Sequence, residues 1–135
     1  MKKNKIIWTN GCFDILHRGH IELFKFCKSL GTCLIVGIDC DERVKKSKGN
    51  TRPINNLQDR IAMLNAICYI DGVVWFDSDE ELENQIRFCG AEVIVVGDDY
   101  KDKNVIGSHL VDEIRFFKKI DGYSTTEIIQ RSSDR

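Results

Sequence analysis

Proline occurs once in this 135-residue chain, none of its six cysteines forms a Cys-x-x-Cys pair, and neither sign of charge is in surplus. Each absence excludes a class of protein. With 20 basic and 21 acidic residues, the net charge of -1 lacks the cationic excess from which general nucleic-acid and membrane binders draw affinity. No apolar run approaches the roughly 20 residues of a membrane span, and the start, from Met1 to Trp8, lacks a signal-peptide core and cleavage pattern. A cytoplasmic location is expected, where the cysteines at 12, 27, 33, 40, 68 and 89 stay reduced. Those inside apolar runs, such as Cys27 and Cys33, read as small hydrophobes, and no metal site is expected from them.

What is present is enough for one α/β domain over residues 1–135, since 42% of the chain is apolar and a chain of this length buries roughly two thirds of its unfolded surface. Short β-branched runs alternate with segments of helical period, which is the pattern of a doubly wound, Rossmann-like parallel sheet of about five strands. Strands are expected at Lys5 to Thr9, Cys33 to Ile38, Val73 to Phe76, Val93 to Val96 and Glu113 to Lys118, with the fourth, the most apolar, in the centre. Helices are expected at Gly19 to Leu30, Leu57 to Ala66, Asp79 to Phe88 behind a Ser78 cap, and Ser124 to Arg131. Asp41 to Asn50 reads as a charged, flexible connection.

Three features carry chemistry. His17 and His20 straddle Gly19 at a helix start, where unpaired N–H groups and the positive dipole end suit an anion. By themselves they could equally be two surface histidines on an amphipathic helix. Lys45, Lys46, Lys48 and Arg52 follow the second strand, whose carboxyl end faces the same crevice as the first loop. A run of charge can also be a solvated face. Ser124, Thr125 and Thr126 open the last helix, where one hydroxyl is needed for capping and the others are available to phosphate.

Together these residues resemble the HxGH nucleotidyltransferases, and the resemblance runs the length of the chain. Gly11-x-Phe13-Asp14-x-x-His17-x-Gly19-His20 is similar to that family's first signature, and Ser124-Thr125-Thr126 falls where its closing phosphate-binding signature belongs. The resemblance implies transfer of a nucleoside monophosphate from a nucleoside triphosphate to a phosphorylated sugar or polyol, with pyrophosphate released and Mg²⁺ carried by the triphosphate. It implies that His17, His20, Lys45 and Lys48 are catalytic. Asn10, Gly11, Cys12, Phe13, Gly19, Gly97, Asp98, Asp99, Tyr100 and the hydroxyl trio would bind the nucleotide, and Asp14, Asp39 and Arg52 the acceptor. It also implies a homodimer.

Within the family, Thr9 to His17 and Lys45 to Pro53 look like the type that adenylates heptose 1-phosphate. Cys12 and Cys68 stand where glycerol-3-phosphate cytidylyltransferases carry Thr and a signature Arg, which also favours ATP and a heptose phosphate. Gly97-Asp98-Asp99-Tyr100 instead looks like the cytidylyl version, Val96 replaces an expected Lys, and the stretch from Gly107 to Asp121 is short for the heptose type. CTP with glycerol 3-phosphate is thus the second expectation. A non-catalytic nucleotide-binding module would have lost a signature residue, and none is lost.

Overall fold

The computed structural model describes residues 4–120 and 124–133. Its strands are β1 (Ile6–Gly11), β2 (Cys33–Asp39), β3 (Gly72–Phe76), β4 (Val93–Gly97) and β5 (Glu113–Phe117), all parallel in the order β3-β2-β1-β4-β5. Its helices are α1 (Arg18–Ser29), α2 (Asp41–Lys48), α3 (Leu57–Asn65), α4 (Asp79–Cys89) and α5 (Thr125–Ser133). The doubly wound expectation holds. Phe24 and Cys27 of α1 and Leu64 of α3 close one face of the sheet over Ile7, Leu34, Val36 and Val95. Leu82 and Ile86 of α4 close the other over Trp8, Phe76 and Ile94.

Local chemistry explains the boundaries. Ser78 Oγ accepts from the Glu81 N–H at 3.0 Å and so starts α4 as the sequence implies, and Gly90 ends it at φ 71°, a left-handed conformation that glycine adopts without strain. Trp8 is wholly buried because β2 offers Gly37 beside it; a Cβ there would stand 2.4 Å from the indole Cζ2.

Three expectations change. The centre of the sheet is β1, paired on both sides, whereas β4 lies between β1 and β5. Residues 41–48 form α2 rather than a flexible connection, with Asp41 and Glu42 in its first turn and Lys45, Lys46 and Lys48 in its last, complementing the helix dipole. Of the cysteines only Cys27 is wholly buried and Cys68 is exposed, so most are half-covered rather than core residues. Residues 1–3 and the Gly122 and Tyr123 that precede the hydroxyl trio lie outside the described residues. Among the described residues no helix is long and apolar enough to cross a membrane.

The sheet opens where the site begins. β1 pairs with β2 along its whole length, from Ile6 with Cys33 to Gly11 with Ile38, but with β4 only at Ile7–Val93 and Trp8–Ile94. One turn of pleat later, Thr9 Oγ1 still donates to the Val95 carbonyl at 2.8 Å, and beyond it the two strands part. The parting lies where the strand order reverses direction, the place where open α/β sheets bind ligands.

Candidate functional site

A cleft of about 790 Å³ occupies that crevice, lined from β1, β2 and β4, their following loops, and the start of α5. The start of α1 contributes His17, Gly19 and His20 to its lining. His17 caps α1, its Nδ1 accepting from the Gly19 N–H at 3.0 Å, while His20 Nδ1 accepts from the His17 N–H at 3.2 Å. The two rings lie 3.9 Å apart between centroids. An imidazole whose Nδ1 accepts carries its proton on Nε2 when neutral, so both rings are Nε2–H donors. Burial, with the neighbouring charges of His17 and Lys119, pushes the His20 pKa down to about 3, and burial also lowers that of His17. Gly19 lines the cleft as expected, but its N–H is engaged by His17, so the donors that remain toward the cleft are the imidazole Nε2–H groups rather than that backbone group.

The loop before α1 is braced from a distance. Asp14 has no exposed side-chain surface: its carboxylate accepts from Arg52 Nε, the Ile54 N–H and the Asn55 N–H, each at 2.8 Å. Burial acts to raise its pKa, but the hydrogen bonds from Asn55, Ile54 and Arg52 outweigh it and hold the group below the usual value of 3.8. Asp14 lines the cleft, and its oxygens clasp the 52–55 segment to the first loop. Phe13, expected at the nucleotide, has φ 48° and is 93% buried by its packing edge-on to His20 and against Phe24. A positive φ in a bulky residue stores strain, here held by the ring's burial behind His20.

On the β2 side the cleft is polar and charged. Arg43, Lys46, Ser47, Lys48 and Arg52 line it, with Asp39 at the end of β2. Lys45 does not: it points out of the cleft and lies 3.8 Å from Glu42, one turn back on α2. The helix explains this correction, since adjacent residues diverge by about 100° and the cleft receives Lys46 instead. Cys12 Sγ is 3.7 Å from Asp39 Oδ2, and burial, followed by the Asp39 charge, raises the thiol to about 11, so it stays protonated.

On the β4 and β5 side the lining is largely apolar, with Val96, Val105, Ile106, Phe117 and Ile120 beside Tyr100. Gly97 and Asp99 line it as well, whereas Asp98 does not. A Cβ on Gly97 would stand 2.5 Å from Asp99 Oδ1, so glycine there makes room for the carboxylate, which pairs with Lys119 at 3.6 Å. Asn10 reaches the cleft with its Oδ1 occupied by Trp8 Nε1 at 2.9 Å. The hydroxyl trio divides its work. Ser124 Oγ accepts from the Glu127 N–H and keeps its own proton to donate, and Thr125 Oγ1 donates to the Ile15 carbonyl at 2.9 Å. Thr126 makes no such bond among the described residues and lines the cleft.

Three contributors escape the sequence reading, Arg60, Arg43 and Lys119, and Lys46 was read only as a member of the basic run. Arg60 is buried with no exposed side-chain surface, donating to the carbonyls of Cys12, Asp39 and Asn55 and to Asp41 Oδ1. A signal for it was available, because position 60 shares the inward phase of Leu57, Ile61 and Leu64 on α3. Among the described residues no group of three or more His, Cys, Asp or Glu side chains could hold a metal ion. The carboxylates that line the cleft, Asp14, Asp39 and Asp99, are paired with Arg52, Arg43 and Lys119.

Comparison with known proteins adds three findings. A family model described as cytidylyltransferase-like matches residues 8–131. Bifunctional protein HldE of Campylobacter concisus (strain 13826) is 46% identical over 132 residues, which are 98% of this chain and 28% of that protein. Bifunctional protein HldE of Marinomonas sp. (strain MWYL1) is 44% identical over 137 residues, 98% of this chain and 29% of that protein. The chain thus spans less than a third of the length of these curated relatives. Among solved structures, the lipopolysaccharide core biosynthesis protein from Thermoplasma volcanium GSS1 matches with a TM-score of 0.71 at 25% identity, covering 87% of this chain and 98% of that one.

Proposed function

This chain belongs to the cytidylyltransferase-like family, and from that premise we propose that it transfers a nucleoside monophosphate, AMP by preference, from a nucleoside triphosphate to a sugar phosphate such as heptose 1-phosphate, releasing pyrophosphate. The observation that carries the proposal is the pair of neutral Nε2–H donors lining a cleft with cations on both flanks. An acceptor phosphate is already anionic and attacks the α-phosphorus without a general base. The protein's task is therefore to align the two substrates and stabilise charge on the transferring group.

The roles follow from position. His17 and His20 donate to the α-phosphate oxygens as charge develops there. Being neutral, they add hydrogen bonds without binding a phosphate ion so firmly that product is retained. Lys46 and Lys48 neutralise the phosphate chain and the leaving pyrophosphate, joined by Lys119, Ser124 and Thr126 from the opposite wall. The triphosphate arrives as its magnesium complex, and the metal supplies charge neutralisation on the phosphate oxygens. The apolar wall by Tyr100 suits a flat base, and the polar β2 wall suits a hydroxylated acceptor phosphate.

ATP is favoured by the resemblance around Cys12 and Lys45 to Pro53, and a solved relative named for lipopolysaccharide core biosynthesis accords with a sugar acceptor. A cytoplasmic homodimer belongs to the same reading, with size-exclusion chromatography as its check. CTP remains the second reading because Gly97, with Asp99 folded over it, matches the cytidylyl run. The test is to offer each nucleoside triphosphate with Mg²⁺ and a panel of phosphorylated sugars and polyols, following pyrophosphate. AMP transfer to heptose 1-phosphate is the expected result, predominant CMP transfer would move the protein to the cytidylyl branch, and no release with any pair would sink the proposal.

A further inference from the structure

A groove of about 560 Å³ lies beside the cleft, between α5 and the segment 47–52. Ser47, Lys48, Arg52 and Thr126 line both cavities, whereas Thr51, Ile129 and Gln130 line the groove alone. The period of α5 makes one wall a track: Thr126, Ile129 and Gln130 are three and four positions apart and share a face, which extends the groove about 6 Å along the helix. The two cavities differ in charge. Asp14, Asp39 and Asp99 are among the residues that line the cleft, but no described residue lining the groove carries a carboxylate, and Lys48 and Arg52 give it two cations. Arg52 is built in rather than splayed on the surface. Its side chain is 11% exposed and its Nε is held by Asp14 at 2.8 Å, yet its Nη groups make no hydrogen bond among the described residues. A planar guanidinium fixed by its stem, with the fork left open, suits phosphate oxygens.

We propose that this groove is a holding site for pyrophosphate, which enters it past Lys48 and Thr126 after transfer and is bound there while the nucleotide still fills the cleft. The inference rests on the reading of the cleft as a site of nucleotidyl transfer and adds where the second product goes. Transfer breaks the bond from the α-phosphorus to its bridging oxygen, and the electron pair stays with the departing pyrophosphate, so a free polyanion appears beside the residues that held the phosphate chain. Two of those residues, Lys48 and Thr126, are also the inner wall of the groove. From there the potential becomes more favourable to an anion, because the cations continue and the carboxylates of the cleft do not. Thr51 and Gln130 at the outer end add hydrogen-bonding groups without further charge, which binds the product without retaining it.

The experiment fills the cleft of the full chain with the magnesium complex of α,β-methylene-ATP, which cannot undergo transfer, and titrates in pyrophosphate by calorimetry. Saturable binding of pyrophosphate to the loaded chain is the expected result. Gln130 is exposed and lies outside the cleft, so Gln130→Glu should weaken that binding about tenfold and Gln130→Lys strengthen it by a similar factor, with the KM for ATP within about twofold of wild type in both. Opposite shifts from two replacements of one side chain read the charge of the ligand, which a loss of structure would not do, and thermal unfolding checks the fold of each variant. Inorganic phosphate, with fewer oxygens and less charge, should bind about tenfold more weakly than pyrophosphate. The proposal is overturned if the loaded chain takes up no pyrophosphate, if the two variants shift its affinity in the same direction or leave it unchanged, or if phosphate binds as well. A wild-type chain that releases pyrophosphate with no pair of substrates would instead refute the reading of the cleft, a failure visible before any variant is made.

Discussion

The loop after β1 and the loop after β4 face each other across one crevice, and they are held in opposite ways. The first is tied by bonds that reach far along the chain, from Arg52 to Asp14 over 38 positions and from Arg60 to the Cys12 carbonyl over 48. Its key side chains, Phe13 and Asp14, are buried. The second is held by short backbone turns: Lys101 to Asp98, Lys103 to Tyr100, Ser108 to Val105 and Leu110 to Gly107. Tyr100 through Asn104 are exposed. The contrast assigns fixed geometry to the loop that carries the histidines, where small displacements are most damaging to catalysis, and adaptable surface to the loop around Tyr100.

The sharpest way to break that contrast is to remove its longest tie. Arg60→Ala leaves three carbonyls and Asp41 without their donor, and should lower the free energy of unfolding by about 3 kcal/mol or more. Asn104→Ala in the facing loop should change it by less than about 0.5 kcal/mol. Chemical denaturation of both variants reads the difference, and equal losses would erase it. Next in size are the donors themselves. His20→Ala and His17→Asn should each cut turnover about a hundredfold, the worth of a preorganised oxyanion donor. Asparagine keeps a helix-capping oxygen at position 17 while deleting Nε2–H, so its melting temperature should stay near wild type. Full activity in either variant would remove the histidines from the mechanism.

Smaller effects distinguish neighbours on one helix. Lys46→Ala should raise the KM for the triphosphate about tenfold, whereas Lys45→Ala, facing away, should stay within about twofold; the reverse order would mean that α2 turns when substrate binds. The smallest effect expected on turnover is a lack of one, although stability responds to acid. With His20 at about 3 in the folded state against 6.5 unfolded, the unfolded chain binds the extra proton throughout that window. Stability should therefore be full above 6.5 and decline as acid is added toward 3. The kcat profile should meanwhile show no inflection from His20 between about pH 5 and 8. An inflection near 6.5 in the wild type that vanishes in His20→Ala would show that the ring is charged during turnover.

Much of this was legible in the residues. The strands carry their own signal in β-branched runs, and the His17-Gly19-His20 spacing marks a helix start without help from elsewhere. Phase and partnership were not. α2 buries only Val44, so its eight residues offer no apolar stripe from which to choose between Lys45 and Lys46. The clasp made by Asp14 is invisible in its own stretch of sequence because the groups that saturate it are supplied from positions 52, 54 and 55. Ser124 and Thr125 looked alike, and only the position of the Ile15 carbonyl commits one hydroxyl proton and leaves the other available. Local pattern reveals which residues can do chemistry, and the tertiary partners decide which of them are left to do it.

The bracing of the first loop also defines a replaceable cassette. Asp41 is anchored by Arg60, and Arg52 and Ile54 by Asp14, so the stretch from 42 to 51 is pinned at both ends to groups outside it. Within that stretch the exposed turn 49–51 that follows α2 is the part that can change length with little penalty, about 0.6 kcal/mol for each doubling of a flexible loop. Gly49, with open space around it at φ 103°, is the natural point for such a change. Evolution or an engineer can therefore exchange one wall of the cleft, together with its lysines, for another of different length and charge while the histidines keep their place. The scaffold lets one wall of the cleft vary while the opposite anchor, the loop that carries His17 and His20, stays fixed.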